Sequence, residues 1–423
     1  MQFNEIYMSI ELSDYSIKAV VGEYFNMKLN VLAAIEKEIT FEVKDVEASS
    51  EQLKKVVFEI KDELTALIGY EIKNTILVLP STSCKKFSDK VRVETSTVDH
   101  VAVTEDKAKG IKEIVKKNDV PPNFVVNVVI NKMSAFGYGY VSQIEGLSTR
   151  YIELECSVYT IPQSVAFPIL KVIEECGIAV VDVCLDILAI ASEAILPSAL
   201  KSGAVLVDMG ASSTNIAYFK DNTLKSFHTI NQGGKNITND ISLVTKIDVN
   251  KAESFKKKFV DLDVDHLEDL SIYKYFDEVE NKEVDITQKF ISQIALARQE
   301  EILSLINDQL EALDLGVEDI VYFSGGANKI NNLDHLLKYK LHYPYQILTS
   351  KTLGARSSSF IKCIGAILYQ ATFSRSKGEL KLFVNKKDYS NALNLVENNN
   401  LLYNNHKGEQ AFIKRLVSYI FTN

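Results

Sequence analysis

Three short apolar runs joined by tight turns, at 6–12, 17–24 and 29–35, return in the second half of the chain at 204–209, 214–219 and 223–230. A three-strand meander that occurs twice implies two related α/β halves, each organised around its own sheet. In the first half the meander is followed by a helix over about 50–68 and a strand at 75–79. In the second, Gly233-Gly234 opens a helix, and a fourth strand arrives late, at 319–323. A length of 423 residues is too great for one core, and 46% hydrophobic residues suffice to fold the chain throughout.

The hairpin at 203–219 carries the first chemical suggestion. Its apolar strand ends in Asp208 and is followed by Gly210, Ala211, Ser212 and Ser213, small residues that let successive backbone N–H groups approach an anion. Asp208, at the mouth of such a loop, suits a hydrated Mg²⁺ better than the phosphates themselves. An ordinary hairpin of an α/β sheet has the same pattern. Further on, Ser324-Gly325-Gly326-Ala327 forms a glycine turn between a buried strand and a helix, where backbone can press against a flat ligand. A tight strand-to-helix turn alone reads the same way. Two hairpins, a Gly-Gly before a helix and a later strand-Gly-Gly-Ala turn nevertheless occur in the order needed to clamp a nucleotide between two halves.

Other chemistries are not signalled. The formal net charge of -9 argues against a nucleic-acid surface. The N-terminus lacks the basic start and apolar core of a signal peptide, and no run reaches the ~18 apolar residues of a membrane span, so a cytoplasmic chain is expected. Cys84, Cys156, Cys176, Cys184 and Cys363 show neither zinc nor disulfide spacing, and the six histidines form no metal or triad motif. Two unlike stretches interrupt the repeat. After Leu79-Pro80 come an acidic helix at 104–117, Pro121-Pro122, and strands near 125–130 and 151–158. The gap at 249–316 is charged and helical, with Phe290, Ile294, Ala297, Ile302, Leu305 and Leu313 roughly tracing one face.

On these residues the chain, over about 5–373, resembles the actin/Hsp70/sugar-kinase ATPase superfamily and, within it, the FtsA family. Residues 205–217 match the second phosphate motif and 323–327 the adenosine motif. The resemblance implies an actin-like (ribonuclease H-like) α/β fold with subdomain 1A at 1–83 and 161–202, a 1C-type insertion at 84–160, and 2A at 203–248 and 317–352. It further implies a helical 2B-type insertion at 249–316, a connecting helix at 353–374 and a linker at 375–408. Helices around Gln163–Gly177 and Ile364-Gly365-Ala366 look like those that connect the halves.

The resemblance implies ATP and Mg²⁺ as ligands. Adenine would lie near Gly325, Gly326 and Ala327, and phosphates mostly on Gly210, Ala211, Ser212 and Ser213, with Gly233 and Gly234 close by. Glu253 and Lys257 fall where the family places ribose and adenine contacts; Ser13 and Lys18 belong to the first phosphate hairpin; Glu11 and Asp208 would serve the metal. That first hairpin departs from the pattern: Glu11-Leu12-Ser13-Asp14-Tyr15-Ser16 contains no glycine, and Asn215 replaces an acidic residue in the second motif. ATP is then expected mainly as a structural ligand closing the cleft, with weak or absent hydrolysis.

The tail beyond 375 is rich in Lys, Asn, Ser and Gly and reads as a tether. It ends at 409–423 in a segment whose Phe412, Ile413, Leu416, Val417, Ile420 and Phe421 share one arc, opposite Lys414 and Arg415. This is the outline of a surface-lying membrane helix, and a terminal helix docked on its own domain is the other reading. FtsA proteins end in such a segment. The expected function is therefore an adaptor that self-assembles into filaments and carries the tubulin-like FtsZ, through its C-terminal peptide on the 2B-like region, to the cytoplasmic face of the membrane at the division site. A PilM-like pilus protein and an ATP-dependent phosphotransferase are the alternatives.

Overall fold

A computed structural model describes residues 5–376, except 14, 26–27, 40–45, 97–99, 103, 278–280, 351, 353 and 355–356. Asp14, the tether beyond 376 and the amphipathic segment with Phe412 to Phe421 lie outside the described residues. The chain divides into two compact units, one formed by 1–194 with the chain from 350 onward, the other by 195–349.

In the first unit β1 (Glu5–Leu12), β2 (Ser16–Phe25) and β3 (Lys28–Glu38) form an antiparallel meander. Helix α1 (Ser50–Ile68) turns Leu53, Val57, Ile60 and Leu64 inward at helical spacing and leads to β4 (Asn74–Leu79), which runs parallel to β1. Tyr7, Met8, Ile10, Ile76, Leu77 and Leu79 are all buried. Such near-continuous apolar runs mark strands covered on both faces.

The chain then builds a second sheet from β5 (Lys85–Glu94), β6 (Asn123–Ala135), β7 (Gly139–Val141) and β8 (Tyr151–Pro162), in the order β5-β8-β6-β7. Helix α2 (Thr104–Asn118) covers it, packing Ile111, Ile114 and Val115 against Val93, Val128, Leu154 and Val158 in a separate core. After α3 (Gln163–Glu175), β9 (Ala179–Leu185) rejoins the first sheet parallel to β4, completing the order β3-β2-β1-β4-β9, and α4 (Asp186–Ala194) follows.

The second unit opens with α5 (Pro197–Ser202) and repeats the plan with β10 (Ala204–Met209), β11 (Thr214–Lys220) and β12 (Thr223–Ile230), again antiparallel. Helices α6 (Gly234–Thr245) and α7 (Val249–Phe259), the hairpin β13 (Ser271–Asp277) and β14 (Lys282–Thr287), and α8 (Gln288–Glu311) precede β15 (Ile320–Ser324). Strand β15 pairs parallel with β10, and after α9 (Leu333–Lys340) β16 (Tyr345–Ile347) pairs parallel with β15. The order β12-β11-β10-β15-β16 is that of the first sheet, strand for strand and sense for sense. The last helix, α10 (Ile361–Ser376), returns to the first unit and packs against α4.

Two features differ from the sequence reading. The segment 249–316 is helical at both ends but carries the β13–β14 hairpin, where aromatic and β-branched residues alternate with charges. Its long helix, α8, buries Ile291, Ala295, Gln299, Ile302, Ile306 and Leu310, whereas Phe290 and Ala297 are exposed. Gln299 and Ser292 on the inward face interrupt the apolar pattern and shift the apparent stripe.

Candidate functional site

The second unit assembles most of the residues expected to meet a nucleotide. Strand β10 is buried along its whole length and delivers the chain into the turn 210–213, closed by a bond from the Gly210 N–H to the Ser213 carbonyl, 2.9 Å. The N-terminus of α6 is stitched to this turn: the Gly234 N–H donates to Gly210 O at 3.0 Å and the Lys235 N–H to Ala211 O at 2.8 Å. A trans peptide unit points its N–H opposite to its C=O. The N–H groups of Ala211 and Ser212 are therefore turned away from α6.

Gly233 is required by this contact. A Cβ there would lie 2.5 Å from Gly210 O and 2.7 Å from Ala211 O. The Gly233 N–H itself is taken by Asn236 Oδ1 at 2.9 Å. Gly233 and Gly234 thus bring loop and helix together and direct their own N–H groups to protein acceptors.

Gly325 makes a second close approach. Its φ of +101° belongs to glycine, and a Cβ would strike Met209 O at 2.3 Å and Asp208 Oδ1 at 2.8 Å. The next residue, Gly326, has nothing within 4 Å of its Cβ position. Ala327 is buried below, within the turn Gly326–Lys329. Asp208 is only 1% exposed, paired in register between Asn215 and Ser324, and does not stand at the mouth of the loop. Asn215 accepts a bond from Thr229 Oγ1 at 3.0 Å.

Beneath the loop lies a charged network that the sequence only half disclosed. Glu253 on α7 meets Lys256 Nζ at 2.6 Å and also accepts from Thr238 Oγ1 of α6. Lys256, 9% exposed, further donates to the Gly234 carbonyl at 2.8 Å and to Thr238 Oγ1 at 2.7 Å. Burial pushes the Glu253 carboxyl up, but Lys256, Thr238 and Lys257 outweigh it and hold the group below its ordinary value. Lys257, the lysine singled out from the sequence, is the outer one: its side chain is 56% exposed and 3.7 Å from Glu253. In the run Lys256-Lys257-Lys258 the inward lysine is fixed by phase, because Lys256 falls one turn after the buried Ala252.

The first unit holds Ser13, Lys18 and Glu11. Ser13 is spent on its own turn: its N–H and Oγ both donate to the Ser16 carbonyl, at 3.0 and 2.8 Å. Glu11 is 5% exposed, and its two oxygens face two lysines, Lys18 at 3.3 Å and Lys362 at 3.6 Å. Lys362 also reaches Asp186 Oδ2 at 3.4 Å, while Asp186 Oδ1 accepts from the N–H groups of Ser81 and Ile187, at 3.0 and 2.8 Å, and from Ser81 Oγ. Asp186 and Lys362, 176 residues apart, were not foreseen. Burial raises the Glu11 carboxyl pKa, yet Lys18 and Lys362 bring it below its ordinary value. The carboxylates assigned to Mg²⁺ therefore fit it poorly, Glu11 being engaged by ammonium groups and Asp208 enclosed. Among the described residues no group of three or more His, Cys, Asp or Glu could hold a metal ion.

Comparison with known proteins agrees with this architecture. The crystal structure of MreB5 of Spiroplasma citri bound to ADP matches with a TM-score of 0.51 at 16% identity, covering 88% of this chain and 98% of that one. The family model described as Cell division protein FtsA matches residues 205–365. The FtsA of Bacillus subtilis (strain 168) is 23% identical over 386 residues, 89% of this chain and 86% of its own length. That of Staphylococcus epidermidis (strain RP62A) is 26% identical over 378 residues, 87% of this chain and 79% of its own. The fold is actin-like, and the resemblance to FtsA read from the motifs holds across both units: the chain is FtsA-like.

Proposed function

We propose that this protein is a cell-division adaptor of FtsA type, which binds ATP in its second unit and links a filament-forming partner to the cytoplasmic membrane. The observation that carries the reading is the extent of the likeness to FtsA proteins, 89% of the chain, which takes in both units. The PilM alternative has no comparable support in the family match. The loop 210–213 supplies the phosphate contacts through backbone, and the Gly325-Gly326 turn offers the flat surface for adenine. Hydrolysis is weak or absent, because the first hairpin is closed by its own serine.

No helix among the described residues is long and apolar enough to cross a membrane, which is compatible with peripheral attachment. Attachment runs through 409–423, with Phe412, Ile413, Leu416, Val417, Ile420 and Phe421 entering the lipid and Lys414 and Arg415 at the headgroups. FtsZ is the partner, through its C-terminal peptide on the region 249–316, and the chain assembles into filaments with itself. The test is vesicle co-sedimentation of the full chain and of a chain ending at 408, with and without an FtsZ C-terminal peptide. Loss of anionic-vesicle binding on truncation, with peptide binding kept, is the expected result. Equal vesicle binding by both chains refutes the anchor, and absence of peptide binding by the full chain refutes the partner.

A further inference from the structure

The cluster at the end of β1 joins four separate segments of the first unit. Glu11 is the penultimate residue of β1, Lys18 stands directly opposite it on β2 in the strand register, Asp186 opens α4, and Lys362 lies in the first turn of α10. Both carboxylates are nearly enclosed, with side chains 7% and 8% exposed, and the lysines are 12% and 19% exposed. Two enclosed carboxylates on neighbouring elements require positive charge between them. In many phosphate-handling sites a divalent cation supplies it, held by a few carboxylates and otherwise by water and phosphate. Here a side chain stands in that role. An ammonium has three donors, enough to serve Glu11 and Asp186 together, and Lys362 is within 3.6 Å of one and 3.4 Å of the other.

We propose that Lys362 is a resident substitute for a divalent cation, bridging Glu11 and Asp186, so that the first unit takes up no metal ion at this place. Two carboxylates and two lysines leave the cluster neutral. Its electrostatic demand is met before any ligand arrives, and a polyphosphate brought near it meets ammonium groups rather than a hydrated cation. Lys18 is set by the hairpin register and would be there in any case. Lys362 is the added element, and removing it leaves one negative charge in excess between two carboxylates already held in place, Asp186 by Ser81 and Ile187 and Glu11 by its strand. That is a vacancy suited to a small divalent ion. The inference sharpens the nucleotide reading above by naming the cation that this half does without, but it stands on the geometry of the first unit and is tested with metal alone.

The experiment is a Mn²⁺ titration of the full chain without nucleotide, followed by calorimetry and by the electron paramagnetic resonance of free Mn²⁺, for wild type, Glu11→Gln, Lys362→Met and the Glu11→Gln/Lys362→Met double variant. Wild type and Glu11→Gln are expected to give superimposable isotherms. Lys362→Met gains one Mn²⁺ site, at least ~tenfold tighter than any wild-type binding, as expected from removing a positive charge a few ångströms away. The double variant loses that site again. A stoichiometric Mn²⁺ site in the wild type that Glu11→Gln abolishes overturns the proposal, as does a folded Lys362→Met chain that gains no site. Thermal melting with and without Mn²⁺ guards against a variant destabilised by its unpaired carboxylates: stabilisation of Lys362→Met by Mn²⁺, absent in wild type, supports the substitution. If Lys362→Met does not fold even with Mn²⁺, the wild-type and Glu11→Gln isotherms decide.

Discussion

Replacing Gly325 with alanine should damage the second unit far more than the same change one residue later. At Gly325 the backbone has φ +101° and ψ 171°, a region essentially reserved for glycine, where a side chain costs about 1–3 kcal/mol. The new methyl would also lie 2.3 Å from Met209 O, whereas ordinary contact begins at 3.4 Å, so β10 and the turn must separate. Overpacking of that kind costs a further ~1–3 kcal/mol. The sum, about 2–6 kcal/mol, is a large share of the ~5–15 kcal/mol that holds a typical domain folded. At Gly326 a Cβ meets nothing within 4 Å, and alanine should change stability by no more than ~0.5–1 kcal/mol. Hydrogen exchange at the amides of Val205, Val207 and Asp208 reads the difference directly, since those residues lie in the central strand. Exchange limited by global opening should speed by at least ~30-fold in Gly325→Ala, taking 1.4 kcal/mol as a factor of ten. Protection in Gly325→Ala within a factor of ~3 of wild type, or equal losses in the two variants, would refute the assignment of steric cause.

Three further outcomes can be measured. Lys256→Met should destabilise the second unit by ~3–5 kcal/mol, because it leaves the buried Glu253 carboxylate without its partner, while Lys257→Met should cost under ~0.5 kcal/mol; parallel denaturant titrations compare them. Glu253 has its folded pKa below the ordinary 4.5, so its contribution is complete above that value and is lost as pH falls through the folded pKa. Glu253→Gln should therefore flatten the acid limb of the stability profile below 4.5, and an unchanged limb would reject this. The thiols of Cys84 and Cys176 are pushed up to about 12 and about 11 by burial, so native protein should resist alkylation at neutral pH, and rapid labelling that precedes unfolding would contradict it.

The strands of the two meanders were legible because their apolar runs are dense and their turns short: the runs at 204–209 and 214–219 differ from β10 and β11 by at most one residue. Strand β5 was not, since Lys85 to Lys90 is largely exposed and only Val91 and Val93 alternate; it is an edge strand joined to β8 partly through Lys90–Glu155 and Arg92–Glu153. The glycines of the second unit were legible as a set because close backbone approach leaves a compositional trace. What each one touches was not: that Gly233 and Gly234 send their N–H groups to Asn236 and Gly210 depends on how α6 sits on the loop. The choice between Lys256 and Lys257 hangs on helical phase, which a run of three lysines conceals. Asp186 and Lys362 carry no local signal, because only the fold brings the start of α4 and the start of α10 to the end of β1.

The stitching of the loop 210–213 to α6 has a mechanical side. Two backbone bonds tie the turn to the helix end, and Lys256 ties that same end, through the Gly234 carbonyl, to α7. Turn, α6 and α7 are thereby linked in series, from residues 210–213 to the start of the 249–316 segment. A displacement of the turn must either carry the N-terminus of α6 along or break the two backbone bonds that hold it there, and a displacement of that helix end must in turn carry α7 or break the bond from Lys256.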